Sequence, residues 1–152
     1  MVCKKALRGP SCMEREKMAT SGWNSSFSVK VKRCDEDHKK LFLLIEDLND
    51  AMRSGQGQLI VDGIIEDLER YARVHFTAEE VLMAKAKYPA LAAHHAEHEK
   101  FVQSVAKFRQ DLNDGISGQS VSVSVFMNKW LVNHILRTDK QYSAHLNAHG
   151  IC

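Results

Sequence analysis

The sequence lacks the features that mark several large classes of protein. Its four cysteines lie far apart and include no Cys-x-x-Cys pair, which argues against a dense disulfide framework and against a zinc knuckle. Its net charge of +2 is too small to indicate binding to nucleic acid. No apolar run approaches the roughly 18 residues that a membrane-spanning helix needs. What remains is the composition of an ordinary globular domain, with 44% hydrophobic and 26% charged residues.

The beginning of the chain differs in composition from the rest. Residues 1–22 carry scattered basic charge and a Gly-Pro break without hydrophobic periodicity, which predicts an irregular arm outside the core. The arm lacks the apolar centre of a secretory signal, and the wide cysteine spacing favours a reducing compartment. We therefore expect a cytoplasmic protein with a single domain over residues 23–152.

From residue 35 onward, apolar residues recur every three or four positions, which is the period of an amphipathic helix. Asp35 is a candidate N-cap for the first helix, which should end at the Gly-Gln-Gly of residues 55–57. Further helices are predicted over about 58–86, 91–112 and 122–146, separated by Tyr-Pro, Asn-Asp-Gly and a polar linker. Four amphipathic helices with short connections predict an all-α, up-down-up-down four-helix bundle.

The start of the last helix also fits a second interpretation. Val121, Val123 and Val125 alternate with serines, which is the period of a β-strand. No second strand is evident for this segment to pair with, and an isolated strand is not stable. We therefore expect a helix here as well.

Histidines are concentrated on the predicted inward faces. The sequence HHAEH at residues 94–98 places His94 and His98 four residues apart on one helical face. His95 is turned away from them and should lie on the surface. The same spacing pairs His75 with Glu79 in the second helix. Two helices therefore each present a pair of metal-ligating side chains to the core.

The first and last helices add to this group. His38 heads the apolar stripe of the first helix, and His134 and Asp139 lie five residues apart in the last. Five residues differ by about 140° on an ideal α-helix, so this pair converges only if it flanks the inward direction or if a π-bulge shifts the register. One histidine on an apolar stripe is usually a core residue. Five imidazoles and two carboxylates buried together, however, cost several kcal/mol unless a metal compensates them.

These motifs resemble those of a known family. DEDHKKL, HFTAEE, a Tyr-Pro pair, HHAEH and WLVNHILRTD are together similar to the motifs of hemerythrins, specifically of single-domain bacterial ones. The resemblance runs from about Trp23 to Tyr142 and occupies all seven metal-ligand positions of the family. It implies two non-haem irons, bridged by two carboxylates and by an oxo or hydroxo group. The implied ligands are His94, His98 and His134 on one iron, His38 and His75 on the other, and Glu79 and Asp139 as bridges.

The resemblance also implies where dioxygen binds. If each iron is octahedral, these ligands fill every position but one, on the iron with two histidines, and hemerythrins bind dioxygen reversibly at that position. The matching walls are large and apolar, which predicts a dry pocket that slows loss of the bound oxygen, although plain core packing would explain them equally well. These wall residues are Leu41, Phe76, Trp130, Leu131 and Ile135. Tyr142, one turn beyond Asp139, is placed to hydrogen-bond a carboxylate, and Glu80 should be solvated.

The implied function is dioxygen binding for oxygen transport, storage or scavenging, by a non-enzymatic monomer. Two alternatives stay open. The first is a di-iron oxidase or peroxidase that uses an external reductant, and the second is an oxygen or redox sensor in which residues 1–22 move. The sequence shows no signalling domain, which disfavours the sensor. An unidentified electron acceptor or reductant remains a possible partner.

Overall fold

The computed structural model describes residues 22–152, and this part of the chain is helical almost throughout. A short 3₁₀ turn at Ser25–Phe27 precedes the first helix. The helices are α1 (Lys32–Arg53), α2 (Gly57–Tyr71), α3 (Thr77–Lys85), α4 (Leu91–Asn113), α5 (Gln119–Trp130) and α6 (Lys140–Ala148). Two π-helical segments, π1 (Ala72–Phe76) and π2 (Leu131–Asp139), join α2 to α3 and α5 to α6. The result is four rods: α1, α2–π1–α3, α4 and α5–π2–α6.

The rods pack side by side as a four-helix bundle, which confirms the predicted fold. α1 packs against α2 and α5, and α4 packs against the same two helices from the other side. Gly55 and Gly115 follow α1 and α4 with φ angles of 73° and 71°, the left-handed conformation that commonly ends a helix. The stretch with alternating valines lies within α5, so the helical interpretation of that segment is also confirmed.

The predicted start of the first helix was wrong. α1 begins at Lys32, so Asp35 lies inside its first turn and is not the N-cap. The Asp35 carboxylate instead accepts hydrogen bonds from Ser28 Oγ, at 2.6 Å, and from the backbone N of Val29, at 2.8 Å. It therefore ties the segment before the helix to the helix itself, a role that helical periodicity does not reveal.

The apolar core is divided into two clusters. The larger includes Leu41 and Phe101, and the smaller includes Met83 and Tyr142. Trp23 and Phe27, ahead of α1, pack against the larger cluster. Of the predicted arm, residues 1–21 lie outside the described residues. Within residues 22–152, none of the helices has the length and hydrophobicity needed to cross a membrane.

Candidate metal centre

A layer of polar side chains separates the two apolar clusters, and all four rods contribute to it. On each rod the contributing residues lie between residues of the larger cluster and residues of the smaller one. The members, all buried, are His38, His75, Glu79, His94, His98, His134 and Asp139. The structure thus brings together all seven residues that the sequence patterns singled out as candidate ligands.

Glu79 lies at the centre of this layer. Its Oε2 atom is 3.1 Å from Nε2 of His94 and 3.0 Å from Nε2 of His98. Its Oε1 atom is 3.7 Å from Nε2 of His75 and accepts a hydrogen bond from the hydroxyl of Tyr142. The two oxygens of one carboxylate therefore face different histidines.

Asp139 is arranged in the same way. Its Oδ1 atom lies 3.0 Å from Nε2 of His134 and 3.3 Å from Nε2 of His94. Its Oδ2 atom lies 3.3 Å from Nε2 of His38. Like Glu79, Asp139 therefore directs its two oxygens at different histidines.

The ligating atoms form two groups that could each hold a metal ion. Within each group, one nitrogen or oxygen atom per residue lies within 4.8 Å of all the others. The first group is Glu79, His94, His98 and His134, and the second is His38, His75 and Glu79. Glu79 is common to both groups, so any two ions held there are neighbours.

Several buried atoms of this layer have no hydrogen-bond partner among the described residues. They are both ring nitrogens of His38 and His134, Nε2 of His98 and both carboxylate oxygens of Asp139. A buried polar group without a partner costs free energy, and these atoms converge on the two groups. Imidazole nitrogens and carboxylate oxygens are ligands that suit iron and other transition metals. The donor set therefore fits a cluster of bound cations.

The electrostatics of the layer favour ionised carboxylates. Burial by itself would raise the pKa of Glu79, but the charge of His75 and the close contacts of His94 and His98 outweigh burial and hold that pKa well below its usual range. Burial and the neighbouring Glu79 also act to raise the pKa of Asp139, yet interactions with His134 and His38 leave it lowered. Both groups therefore present negative charge to a bound cation.

The π-helical segments place two of these residues. His134 and Asp139 both lie in π2, where i→i+5 bonding brings residues five apart close to one helical face. An ideal α-helix would turn them away from each other. A π-bulge was one of the two arrangements that the sequence spacing allowed, but π1, which holds His75, had no counterpart in that analysis.

The structure corrects the prediction for Glu80. Its side chain was expected to be solvated, but it is only 25% exposed, and its Oε1 lies 2.7 Å from Nδ1 of His98. The same oxygen lies 3.0 Å from Nδ1 of His95, whose ring is 54% exposed, so His95 lies at the surface as expected. Asp37, which sequence reasoning passed over, is buried beside His75. Helical periodicity could not reveal either contact, because each histidine partner lies on another rod.

The predicted wall residues Leu41, Phe76, Trp130, Leu131 and Ile135 are all buried in the larger apolar cluster. Phe76 stacks on His98 with 3.8 Å between ring centroids, and Trp130 stacks on His134 at 3.9 Å. These two rings therefore cover histidines of the first group and hold their imidazoles in place. The contribution of the five residues to a ligand pocket stays a prediction.

Comparison with known proteins gives a consistent result. The family model described as "Hemerythrin HHE cation binding domain" matches residues 29–146. The bacteriohemerythrin of Methylococcus capsulatus (strain Bath) is 33% identical over 135 residues, which cover 86% of this chain and all of the relative. A hemerythrin-like protein of Naegleria gruberi is 37% identical over 120 residues, covering 79% of this chain and 88% of the relative. A crystal structure of wild-type hemerythrin superposes with a TM-score of 0.69 at 31% identity, covering 82% of this chain and 95% of that one.

Proposed function

This chain belongs to the hemerythrin family, and we propose that it binds dioxygen reversibly at two iron ions held in the polar layer of the bundle. One observation carries the proposal: Glu79 and Asp139 each direct one oxygen at the histidines of the first group and the other oxygen at a histidine of the second. Two carboxylates that bridge a pair of ions must have this arrangement. A single bound ion would leave one oxygen of each carboxylate buried without a charge partner.

The histidines divide between the two ions. His94, His98 and His134 surround the first position, and His38 and His75 the second. All five turn Nε2 toward the carboxylate oxygens, so metal ions between them would give these nitrogens and oxygens a common partner. The second position has fewer protein ligands, which leaves it the more open of the two.

When bound, the iron pair supplies the electrons and the open coordination position that dioxygen binding requires. The chain's own residues control what else reaches that position. Leu41, Leu131 and Ile135 are buried aliphatic side chains that exclude water and offer no proton. Fewer protons at the site slow loss of the bound oxygen, which supports reversible binding over oxidase or peroxidase turnover.

The experiment combines a metal count with an oxygen-return measurement. The purified protein is expected to contain two irons per chain and to show charge-transfer bands in its visible spectrum. Anaerobically reduced protein should take up dioxygen and release it intact when the oxygen tension falls. Steady consumption of reductant would identify an oxidase or peroxidase instead. The absence of iron would overturn the proposal.

A further inference from the structure

Two carboxylates lie outside the polar layer and contact its histidines from behind. Glu80 is the first: its Oε1 lies 2.7 Å from Nδ1 of His98, while Nε2 of the same ring lies 3.0 Å from Glu79. The imidazole of His98 is therefore held between an outer carboxylate on Nδ1 and the candidate metal position on Nε2. Glu80 is itself held by His95, whose Nδ1 lies 3.0 Å from the same oxygen.

Asp37 lies behind His75 in a similar position, although its contact with the ring is longer. Its Oδ2 lies 3.5 Å from Nδ1 of His75, whose Nε2 faces Glu79 at 3.7 Å. Lys40 Nζ donates to Oδ1 of Asp37 at 2.7 Å, and Arg33 Nε donates to Oδ2 at 3.0 Å. These two cations hold the buried carboxylate in place, and both extend into solvent.

The two contacts are distributed unequally among the five histidines. His98 belongs to the first group of ligating atoms and His75 to the second. By contrast, Nδ1 of His38 and of His134 has no hydrogen-bond partner among the described residues. An outer carboxylate is therefore not shared by all the buried histidines. His98 has one in the first group, and His75 has one in the second.

We propose that Asp37 and Glu80 are positioning residues, one for each metal ion, and the proposal rests on the proposed function above. A histidine that donates Nδ1–H to a carboxylate presents the lone pair of Nε2 to the metal. The same contact fixes the orientation of the ring and makes it a stronger ligand. Glu80 thereby prepares His98 for the ion with three histidines, and Asp37 prepares His75 for the ion with two.

The test uses cobalt(II) as the probe and titrates it into the metal-free full-length chain. The variants are Asp37→Ala, Glu80→Ala and their combination, with Glu66→Gln as the control, since Glu66 is exposed and pairs with the exposed Arg70. Each single variant is expected to weaken one of the two cobalt equivalents by about 10- to 100-fold, and the double variant should weaken both. The control should match the parent.

The results separate this proposal from the proposed function. A parent that does not bind two equivalents contradicts the proposed function. A parent that does, with single variants that bind both equivalents as tightly, overturns the positioning role, as does a single variant that weakens both equivalents equally.

A second readout distinguishes positioning from a structural effect. Nitrogen-15 spectra of the metal-free protein at alkaline pH report which ring nitrogen carries the proton. In the parent, His75 and His98 are expected to carry it on Nδ1. Glu80→Ala should change the signal of His98 alone, and Asp37→Ala that of His75 alone. Unchanged tautomers in both variants would overturn the proposal even if either variant were less stable.

Discussion

Tyr142 donates its hydroxyl hydrogen to Oε1 of Glu79, across the bundle and over 63 positions of sequence. Both side chains are fully buried. Burial and the charge of Glu79 raise the pKa of Tyr142 well above its usual range, so the hydroxyl keeps its proton and remains a donor. The contact fixes the oxygen of Glu79 that faces His75, and it also confirms that Tyr142 bonds a carboxylate of the site.

Replacing Tyr142 with phenylalanine should therefore destabilise the metal-free protein. The substitution keeps the ring but leaves a buried carboxylate oxygen without its donor, and a hydrogen bond to a charged group contributes about 1.5–3 kcal/mol. Urea denaturation of metal-free parent and variant measures the difference. Tyr88→Phe is the control, because Tyr88 is a partly buried ring packed against Tyr142. Equal stabilities of parent and Tyr142→Phe would show that the bond contributes nothing.

Replacing a candidate ligand should reduce bound iron. His75→Ala or Glu79→Ala removes a group for which no neighbour can substitute, and iron per chain should fall below that of the parent. His149→Ala is the matched control, since it removes an exposed imidazole near the end of α6, away from the polar layer. Metal analysis of the three purified variants provides the measurement. Two irons in His75→Ala would contradict the ligand assignment, and an equal loss of iron in His149→Ala would show that the loss is not specific to the ligands.

Metal binding should weaken as the pH falls. Burial by itself would lower the pKa values of His38 and His98. The contacts of His38 with Asp139 and of His98 with Glu79 outweigh burial, so both pKa values are raised above 6.5. Below the raised values each ring holds a proton that a metal ion must displace from Nε2. Cobalt affinity of the metal-free protein should therefore increase with pH through this range.

The same two shifts predict the stability of the metal-free protein. A raised histidine pKa stabilises the fold fully below the unfolded value of about 6.5 and ceases to do so as the pH rises through the folded value. Above pH 6.5 the metal-free protein should therefore become less stable while its metal affinity rises. Thermal melts across this range check the sign, and a melting temperature that climbs with pH would contradict it.

Leu131→Ala should let water reach the predicted oxygen-binding position. Leu131 is buried one turn before His134, and removing its side chain should cost about 2–5 kcal/mol of stability through the cavity it leaves. The variant should keep two irons but lose bound oxygen by autoxidation faster, because water and protons gain access. The decay of the oxygenated spectrum measures this rate. A rate equal to that of the parent would show that Leu131 does not gate the pocket.

Much of the architecture follows from local patterns. Apolar residues at helical spacing predicted four rods and a bundle, because the side-chain period of a helix depends only on its own backbone. His94 and His98, or His75 and Glu79, lie one turn apart, so their shared face could also be inferred from spacing. Spacing alone therefore placed these four residues of the polar layer on shared inward faces.

The tertiary structure decided how those residues meet. The π2 segment brings His134 and Asp139 into one group, and a widened turn persists only where packing around it compensates for poorer backbone geometry. The prediction that Asp35 caps the first helix was wrong because the hydrogen-bond partners of Asp35 lie in the segment before the helix. Neither feature has a fixed spacing that a sequence pattern could reveal.

The contacts of Glu80 with His98 and of Asp37 with His75 show the same division between what sequence and structure determine. The sequence determined that histidines and carboxylates would line the inner faces of four helices, since local periodicity alone sets which face a residue occupies. Only packing of the rods decided that Glu80 on α3 would meet His98 on α4 and that Asp37 on α1 would meet His75 in π1. Contacts between rods depend on the rotation of each rod about its axis and on its offset along the bundle. Both are set by how the side chains of the whole core pack together.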